Sequence, residues 1–258
     1  MSRFFFVKIY MPISWKKEFM CVIMKSGKER CSMRKIIAFE GIDGSGKTMQ
    51  FNMLTKYLQK QGFSVAGKSF PVYDSFFGGV VGKLLAGKDS ENASTLGPMS
   101  MALWFAMDRK AEFERDDTDA EYLVLNRYVL SNAAYQSARC KETGMTPDEM
   151  ISWVMELEHD KLNLPVPDIY IFFNITKQQA DSNVRNKGFR DYVGDGKDVY
   201  EDSDEMQTGA RAGYMRCAER FENVRILECM KDGKMLPPEE IHRMVLDTLA
   251  DNNIINRR

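Results

Sequence analysis

The segment GIDGSGKT at positions 41–48 constrains the fold of this chain more than any other part of its sequence. It follows the apolar run at 36–39, so a short strand should lead through a glycine-rich loop into a helix. Glycines let several backbone N–H groups point at one spot, and the start of a helix adds partial positive charge. Such a loop binds phosphates, with the lysine reaching the β- and γ-phosphates and the threonine hydroxyl holding Mg²⁺. The predicted nucleoside triphosphate site consists of Gly41, Ile42, Asp43, Gly44, Ser45, Gly46, Lys47 and Thr48.

Strand-like and helix-like segments alternate along the chain. Short apolar runs predict strands at 35–40, 64–70, 121–126, 168–174 and 223–228. Apolar residues at helical spacing predict helices near 47–61, 77–86, 97–115, 128–143, 147–162, 176–186, 203–221 and 238–250. Strands separated by helices pair in parallel, so the sequence predicts an α/β fold with a five-stranded parallel sheet and helices on both faces. Ligands of such sheets bind beyond the carboxyl ends of the strands.

Composition argues against several classes of protein. The chain has 258 residues and is 44% hydrophobic, which is consistent with one sizeable core. Its net charge is −1. Nine Lys/Arg and two acidic residues fall within 1–35, so the remainder is acidic and offers no broad basic face for nucleic acid. The five cysteines form no C-x-x-C pair, which favours a reducing cytoplasm over a disulfide or metal framework.

The first 33 residues differ from the rest of the chain. Their apolar run at 4–13 is broken by Lys8 and Pro12, is too short to span a bilayer and lacks a clear cleavage site for a signal peptide. We therefore expect a poorly ordered extension at 1–33 and one folded domain at 34–258. Peripheral membrane contact of the extension is the alternative.

A second polar motif ends the third predicted strand. The run LVLNRY at 123–128 brings Asn126 and Arg127 to the edge of the sheet where the phosphate loop lies, and SNAAYQ follows at 131–136. The planar guanidinium group of Arg127 is suited to holding a phosphate. The alternative is a surface arginine that happens to follow a strand.

These motifs resemble those of thymidylate kinases, the enzymes that phosphorylate dTMP. The segment FEGIDGSGKT at 39–48 is similar to the family's F-E-G-x-D-G-x-G-K-[ST], and NRYVLSNAAYQ at 126–136 is similar to its D-R-[YH]-x-x-S-x-x-A-Y-Q. Weaker resemblances are FPVYDS at 70–75, LWFAMDR at 103–109 and the Pro-Asp pair at 167–168. The resemblance implies a P-loop NTPase fold, Mg²⁺-assisted transfer of a phosphoryl group from ATP to dTMP, and a homodimer. The long apolar helices predicted at 97–115 and 147–162 are the candidates for its contact face.

The resemblance also implies roles for individual residues. Phe105 would stack on thymine, and Arg109, one turn along the same helix, would donate to a carbonyl of the base. Asp43 would accept from the 3′-hydroxyl of the sugar, and Arg127 would hold the dTMP phosphate. The other residues implied at the dTMP site are Phe70, Tyr135, Gln136 and Tyr200. Of these, Tyr135 and Gln136 would line the base pocket, and Tyr200 would disfavour ribose.

The polar, glycine-bearing segment at 185–196 indicates a short mobile lid. The phosphate loop has no basic residue between its glycines, and family members of this type supply an arginine from the lid. The resemblance therefore implies that Arg190, or else Lys187, contacts the transferred phosphate and that Arg185 covers the adenine of ATP. The alternative is a solvated charged loop.

Three features depart from the family pattern. Asn126 stands where the family usually has Asp, so a neutral amide replaces a carboxylate that would bind Mg²⁺ or its waters. Met49 replaces a common second Thr, and Val72 and Tyr73 replace an Arg that often grips the acceptor phosphate. Two alternatives stay open, a kinase for another (deoxy)nucleoside monophosphate or deoxynucleoside and a non-catalytic nucleotide-binding protein. A GTPase switch is disfavoured because the sequence contains no N-K-x-D motif.

Overall fold

The computed structural model describes residues 34–185, 198–200 and 203–256. Parallel strands form a five-stranded sheet in the order β2-β3-β1-β4-β5. The strands are β1 (Lys35–Glu40), β2 (Val65–Ser69), β3 (Tyr122–Asn126), β4 (Ile169–Asn174) and β5 (Val224–Glu228). The predicted fold class is confirmed, and each predicted strand lies within one residue of its observed bounds.

The helices also follow the sequence pattern, with two differences. They are α1 (Lys47–Lys60), α2 (Phe76–Ala86), α3 (Pro98–Glu114), α4 (Val129–Ser137), α5 (Pro147–Met155), α6 (Lys177–Arg185), α7 (Asp204–Arg220) and α8 (Pro238–Asp251). The single helix expected over 128–143 is α4 followed by a tight 3₁₀ turn, which ends at Gly144 in the left-handed conformation. The helix expected over 147–162 is α5 followed by a π-helical turn at Glu156–Lys161.

The centre of the sheet is covered on both faces. All six residues of β4 are buried, which a strand achieves only when helices pack on both sides of it. Helix α1 packs against α8, and α4 packs against α5 and α7. In the register of the central pair, Phe39 of β1 lies beside Asn126 of β3, so both strands end at the same edge. The phosphate loop and Arg127 are therefore neighbours, as the sequence predicts.

A short hairpin was not predicted. Strands β6 (Met230–Lys231) and β7 (Lys234–Met235) pair antiparallel and lie between β5 and α8 along the chain. The connecting residues Asp232 and Gly233 have φ angles of 49° and 74°, which this kind of two-residue turn requires. The Asp-Gly dipeptide is a strong hairpin signal that a search for longer apolar runs overlooks.

Some predictions fall outside the described residues. These are the N-terminal extension at 1–33, the lid residues Lys187 and Arg190, and the side chain of Arg185, so the proposed domain boundary stays a prediction. Within the described ranges, no helix combines the length and apolar character needed to cross a membrane. The cysteines described there, Cys140, Cys217 and Cys229, are buried free thiols.

A close contact between two helices gives a test of the packing. A Cβ on Gly213 of α7 would come within 2.6 Å of the Ala134 carbonyl oxygen on α4. Gly213→Ala is therefore expected to lower the free energy of unfolding by about 2 kcal/mol, because the helices must shift apart. Urea titration followed by circular dichroism measures this loss. Thr208→Ala, at an exposed position of α7, should change stability by less than about 0.5 kcal/mol. Equal losses in both variants would contradict the contact.

Candidate active site

The loop after β1 has the backbone of an anion-binding site. Gly41, Gly44 and Gly46 have φ angles of 148°, 82° and 86°, a region that glycine adopts without strain. A Cβ on Gly44 would lie 2.4 Å from the Ala180 carbonyl oxygen, so a side chain has no room there. Among the described residues, no side chain caps α1 and no acidic residue lies in its first turn. The first N–H groups of this helix are thus directed at an anion site.

Lys47 adds positive charge to the centre of this loop. Its side chain is buried, and Nζ donates to the carbonyl oxygens of Gly41 at 2.9 Å and Ile42 at 2.7 Å. A longer contact of 3.3 Å joins Nζ to the Ser45 hydroxyl. The loop's own acceptors therefore hold the ammonium group in place before any phosphate is considered.

Asn126 ends β3 beside the start of α1. Its Nδ2 lies 3.5 Å from the Thr48 hydroxyl and 3.3 Å from the Ser69 hydroxyl. Its Oδ1 is buried and has no hydrogen-bond partner among the described residues. Because buried polar atoms are nearly always paired, this oxygen points to a ligand at the edge of the loop.

Arg127 is held between the two sides of the site. It has a φ of 63°, and the next residue fixes this turn because the Tyr128 N–H donates to the Glu40 carboxylate at 2.9 Å. The Arg127 guanidinium donates to the Gly41 carbonyl oxygen at 3.2 Å and to the Asp43 carboxylate at 2.5 Å. Burial lowers the pKa of Arg127, but the attraction of Asp43 outweighs it and raises the pKa well above the usual value. The guanidinium group is therefore charged at any physiological pH.

Two cavities meet at this arginine, because Asp43, Phe70 and Arg127 line both of them. The phosphate-loop cavity is further lined by Gly44, Gly46, Lys47, Thr48, Met49, Asn52, Met53, Lys56, Asn126, Gln179, Asn183, Lys234, Met235, Leu236, Pro237 and Pro238. The aromatic cavity is further lined by Pro71, Tyr73, Leu85, Phe105, Arg109, Ser131, Asn132, Tyr135, Asp198 and Tyr200. The geometry suits two anionic ligands whose charged ends meet at Arg127.

Two tyrosines form one wall of the aromatic cavity. The rings of Tyr135 and Tyr200 are stacked, with centroids 5.9 Å apart and an interplanar angle of 16°. The Tyr135 hydroxyl donates to the Asp43 carboxylate at 3.0 Å, and Arg139 donates to the Tyr200 hydroxyl at 3.0 Å. Burial raises the pKa of both tyrosines, so they present neutral hydroxyl groups and flat apolar faces.

Asp108 of α3 anchors the segment at 70–75, which contributes Phe70, Pro71 and Tyr73 to the aromatic cavity. Its buried carboxylate accepts from the Val72 N–H and from the Ser75 hydroxyl, each at 3.0 Å. Ser75 in turn caps α2 by accepting from the Gly78 N–H. Burial raises the pKa of Asp108, although these two donors oppose the shift. Asp108 thus ties the segment that follows β2 to the helix that carries Phe105 and holds the cavity in shape.

The structure gathers most of the predicted site residues around the two cavities. Gln136 was expected to line the base pocket, but it is fully buried and donates from Nε2 to Asn132 Oδ1 at 3.4 Å. Arg109 lines the aromatic cavity, and it also forms a buried ion pair with Glu158 at 2.6 Å. The sequence analysis assigned no role to many of the cavity residues, among them Ser131, Asn132, Asp198 and Met235. Asn132 could have been found, because it lies within the second motif, one helical turn from Tyr128.

A phosphate loop joined to a second cavity by an arginine defines a P-loop kinase that acts on a small anionic acceptor, the nucleoside monophosphate kinase class. The family model for thymidylate kinase matches residues 39–235. The chain therefore belongs to the thymidylate kinase family, and the resemblance drawn from its motifs is confirmed.

Individual relatives agree with this assignment. A thymidylate kinase of Mycobacterium tuberculosis is 32% identical over 187 residues, which is 71% of this chain and 85% of the relative. A probable thymidylate kinase of Pyrococcus abyssi is 26% identical over 214 residues, 81% of this chain and 93% of the relative. The solved structure of thymidylate kinase from Candida albicans matches 87% of this chain and 96% of its own, with a TM-score of 0.65 at 21% identity. That match supports the fold.

Proposed function

We propose that this protein transfers the γ-phosphoryl group of ATP to dTMP, giving ADP and dTDP. The observation that carries the proposal is the shared border of the two cavities at Asp43, Phe70 and Arg127. Nucleotides bound on either side of this border would place their phosphates next to each other. Holding both reactants in line is the largest part of what a phosphoryl-transfer enzyme does.

ATP would occupy the phosphate-loop cavity. The loop N–H groups and Lys47 would hold the β- and γ-phosphates, as the buried position of Nζ among the loop carbonyls supports. The family resemblance adds Arg185 as a cover for adenine and Arg190, or else Lys187, as a further positive charge on the transferred group.

dTMP would occupy the aromatic cavity. Phe105 would stack on the base, Arg109 would donate to a base carbonyl, and Tyr200 would pack on the deoxyribose. Asp43 would accept from the 3′-hydroxyl, and Arg127 would bind the phosphate from the side that faces ATP. A concave site with apolar walls and a few fixed polar groups is typical of such small-molecule recognition.

The chemistry needs no side chain to act as a general base. The acceptor phosphate is already an anion, so the protein only has to align it and balance charge. Lys47 and Arg127 would stabilise the negative charge that spreads over the phosphoryl oxygens during transfer.

The polar residues at the edge of the phosphate loop fit Mg²⁺. Asn126 Oδ1 is buried without a partner among the described residues, and the Thr48 hydroxyl lies against the same amide group. Mg²⁺ prefers oxygen ligands and keeps several of its waters, so few protein ligands are needed. Thr48 and Asn126 would hold the ion, which when bound would neutralise charge on the β- and γ-phosphate oxygens.

Replacing the unusual amide is expected to strengthen metal binding. In Asn126→Asp, the Mg²⁺ concentration for half-maximal rate should fall about tenfold, because a carboxylate attracts the cation more strongly than an amide does. Initial rates at varied Mg²⁺ and fixed ATP and dTMP measure this change. Asn163→Asp adds the same charge at an exposed position with a φ of 52° and should leave the Mg²⁺ dependence unchanged. An unchanged dependence in Asn126→Asp would remove Asn126 from the metal site.

The activity itself is tested by comparing acceptors. Purified protein with Mg-ATP should convert dTMP faster than dUMP, dCMP or thymidine, with ADP formation as the readout. Preference for another monophosphate or for thymidine would instead favour the related kinases. ATP binding without ADP formation, together with a large gain of rate in Asn126→Asp, would favour a non-catalytic nucleotide-binding protein.

We also propose a cytoplasmic homodimer that has neither nucleic acid nor membrane as a partner. Phe76 of α2 and Leu103 of α3 support a subunit contact, because these large apolar side chains are 72% and 46% exposed. The net charge of −1 and the acidic character of the domain give nucleic acid no broad basic face. Light scattering after size-exclusion chromatography measures the mass, and a monomer mass at micromolar concentration would contradict the dimer.

A further inference from the structure

Glu158 lies beneath the aromatic cavity, and no step described so far uses it. Its side chain is fully buried, on the π-helical turn that follows α5. Such turns are rare and occur frequently at functional sites. A buried carboxylate is stable only when partners compensate its charge, so its partners indicate its role.

The partners of Glu158 are Arg109 and Asn132, which both line the aromatic cavity. Arg109 donates from Nε to Oε2 and from Nη2 to Oε1, each at 2.6 Å. Asn132 donates from Nδ2 to Oε1 at 2.8 Å. An ionised carboxylate can only accept hydrogen bonds, so both partners must turn donors toward it.

This requirement fixes the orientation of the Asn132 amide. Nδ2 lies between two acceptors, the Glu158 carboxylate and the Ala102 carbonyl oxygen at 3.0 Å. Turning the amide around would aim Oδ1 at both acceptors and lose both bonds. Oδ1 is therefore the atom that Asn132 presents on its other side, where it accepts a long bond of 3.4 Å from Gln136 and keeps a second lone pair.

Glu158 also fixes the orientation of Arg109, which offers donors where Asn132 offers an acceptor. Its Nε and Nη2 are engaged by Glu158, whereas Nη1 makes no hydrogen bond to any residue that the structure describes. Burial lowers the pKa of Arg109, but the attraction of Glu158 outweighs it, so the guanidinium is charged and can only donate. The cavity wall thus carries a donor from Arg109 and an acceptor from Asn132.

We propose that Glu158 is a positioning residue that sets the base preference of this site, selecting pyrimidines with a 4-keto group and an N3–H. This inference rests on the proposed function, because it assumes that the aromatic cavity holds a pyrimidine. Thymine and uracil offer an acceptor at O4 beside a donor at N3, which matches Arg109 and Asn132. Cytosine offers a donor at the 4-amino group beside an acceptor at N3, which opposes both.

The wild-type protein provides the first test, with dUMP and dCMP as probes because their bases differ only in this pattern. Isothermal titration calorimetry should show that dCMP binds at least about a hundredfold more weakly than dUMP, since a site built for one pattern leaves its polar groups unpaired against the other. Similar affinities would overturn the proposal. Binding does not require turnover, so a protein that prefers dUMP but transfers no phosphate would refute the proposed function and leave this inference standing.

Glu158→Gln tests the residue itself. Glutamine offers one acceptor and one donor, so residue 158 no longer requires a donor from Asn132, and only the bond to the Ala102 carbonyl oxygen still favours the wild-type orientation of the amide. The ratio of dUMP to dCMP affinity should fall at least about tenfold. Glu156→Gln is the matched control, because Glu156 lies on the same turn and pairs with Lys161 at the surface. A folded Glu158→Gln variant with the wild-type ratio would overturn the proposal.

A second variant keeps the test decisive if Glu158→Gln fails to fold. Glu158→Asp retains a group that only accepts, so it should retain the preference for dUMP over dCMP even if both affinities fall. A merely structural role would predict that affinity for both nucleotides falls together in either variant. Loss of the preference in folded Glu158→Asp would therefore count against the proposal.

Discussion

Replacing Lys47 by methionine should lower kcat for dTMP phosphorylation by about a thousandfold. The ammonium group sits in the phosphate loop, where it is 6% exposed and bonded to the carbonyl oxygens of Gly41 and Ile42. A charge placed there acts on the phosphoryl oxygens without having to reorganise during transfer, which is why its loss is costly. Methionine fills nearly the same volume, so the loop keeps its packing while it loses the charge.

Rapid-quench measurement of ADP formation at saturating ATP and dTMP tests this expectation. Lys60→Met is the control, because Lys60 is exposed at the other end of α1. Circular dichroism must show the same unfolding temperature range for both variants, since loss of the Lys47 ammonium group also removes one donor from each of the Gly41 and Ile42 carbonyl oxygens. A Lys47→Met variant that is folded, binds ATP and keeps kcat within tenfold of the wild type would remove Lys47 from the mechanism.

Arg127→Met should reduce kcat/KM for dTMP by about a thousandfold or more, because it removes the group that borders both cavities. We expect the loss to appear in both parameters. KM for dTMP should rise because its phosphate loses the N–H donors of the guanidinium group. kcat should fall because dTMP is no longer aligned with ATP. KM for ATP should change much less, since Lys47 and the loop N–H groups that would hold the ATP phosphates are not replaced. Steady-state rates with each substrate varied separately measure the split.

The ion pair between Arg127 and Asp43 requires a further control. Arg127→Met leaves the Asp43 carboxylate without this partner in a half-buried site, and that alone could disturb binding. The double variant Asp43→Asn/Arg127→Met removes the unbalanced charge. If Arg127 binds phosphate, the double variant stays as slow as the single one, whereas recovery of kcat/KM would show that Arg127 only neutralises Asp43. Arg216→Met, which affects a surface pair with Asp148, should behave as wild type.

Periodicity located the strands well but misjudged how two helices end. Buried strands such as β4 are short, largely apolar runs bounded by polar residues, and they have few other structures available. The stretch 128–143 keeps a helical pattern throughout, yet it bends into a 3₁₀ turn after α4 to reach the start of α5. The π-helical turn at Glu156–Lys161 is also not visible in the hydrophobic periodicity, because the same residues can form α-helical or π-helical hydrogen bonds.

The sequence alone was enough to determine the phosphate loop, the order of strands and helices, the position of Arg127 and the family. These depend on local rules, since glycines at 41, 44 and 46 permit the loop and parallel strands bring their carboxyl ends to one edge. Only the tertiary structure revealed that Glu158 meets Arg109 and Asn132 beneath the aromatic cavity. Three separate helical segments supply these groups. Their spacing along the chain does not predict which donor will face which acceptor in the folded protein.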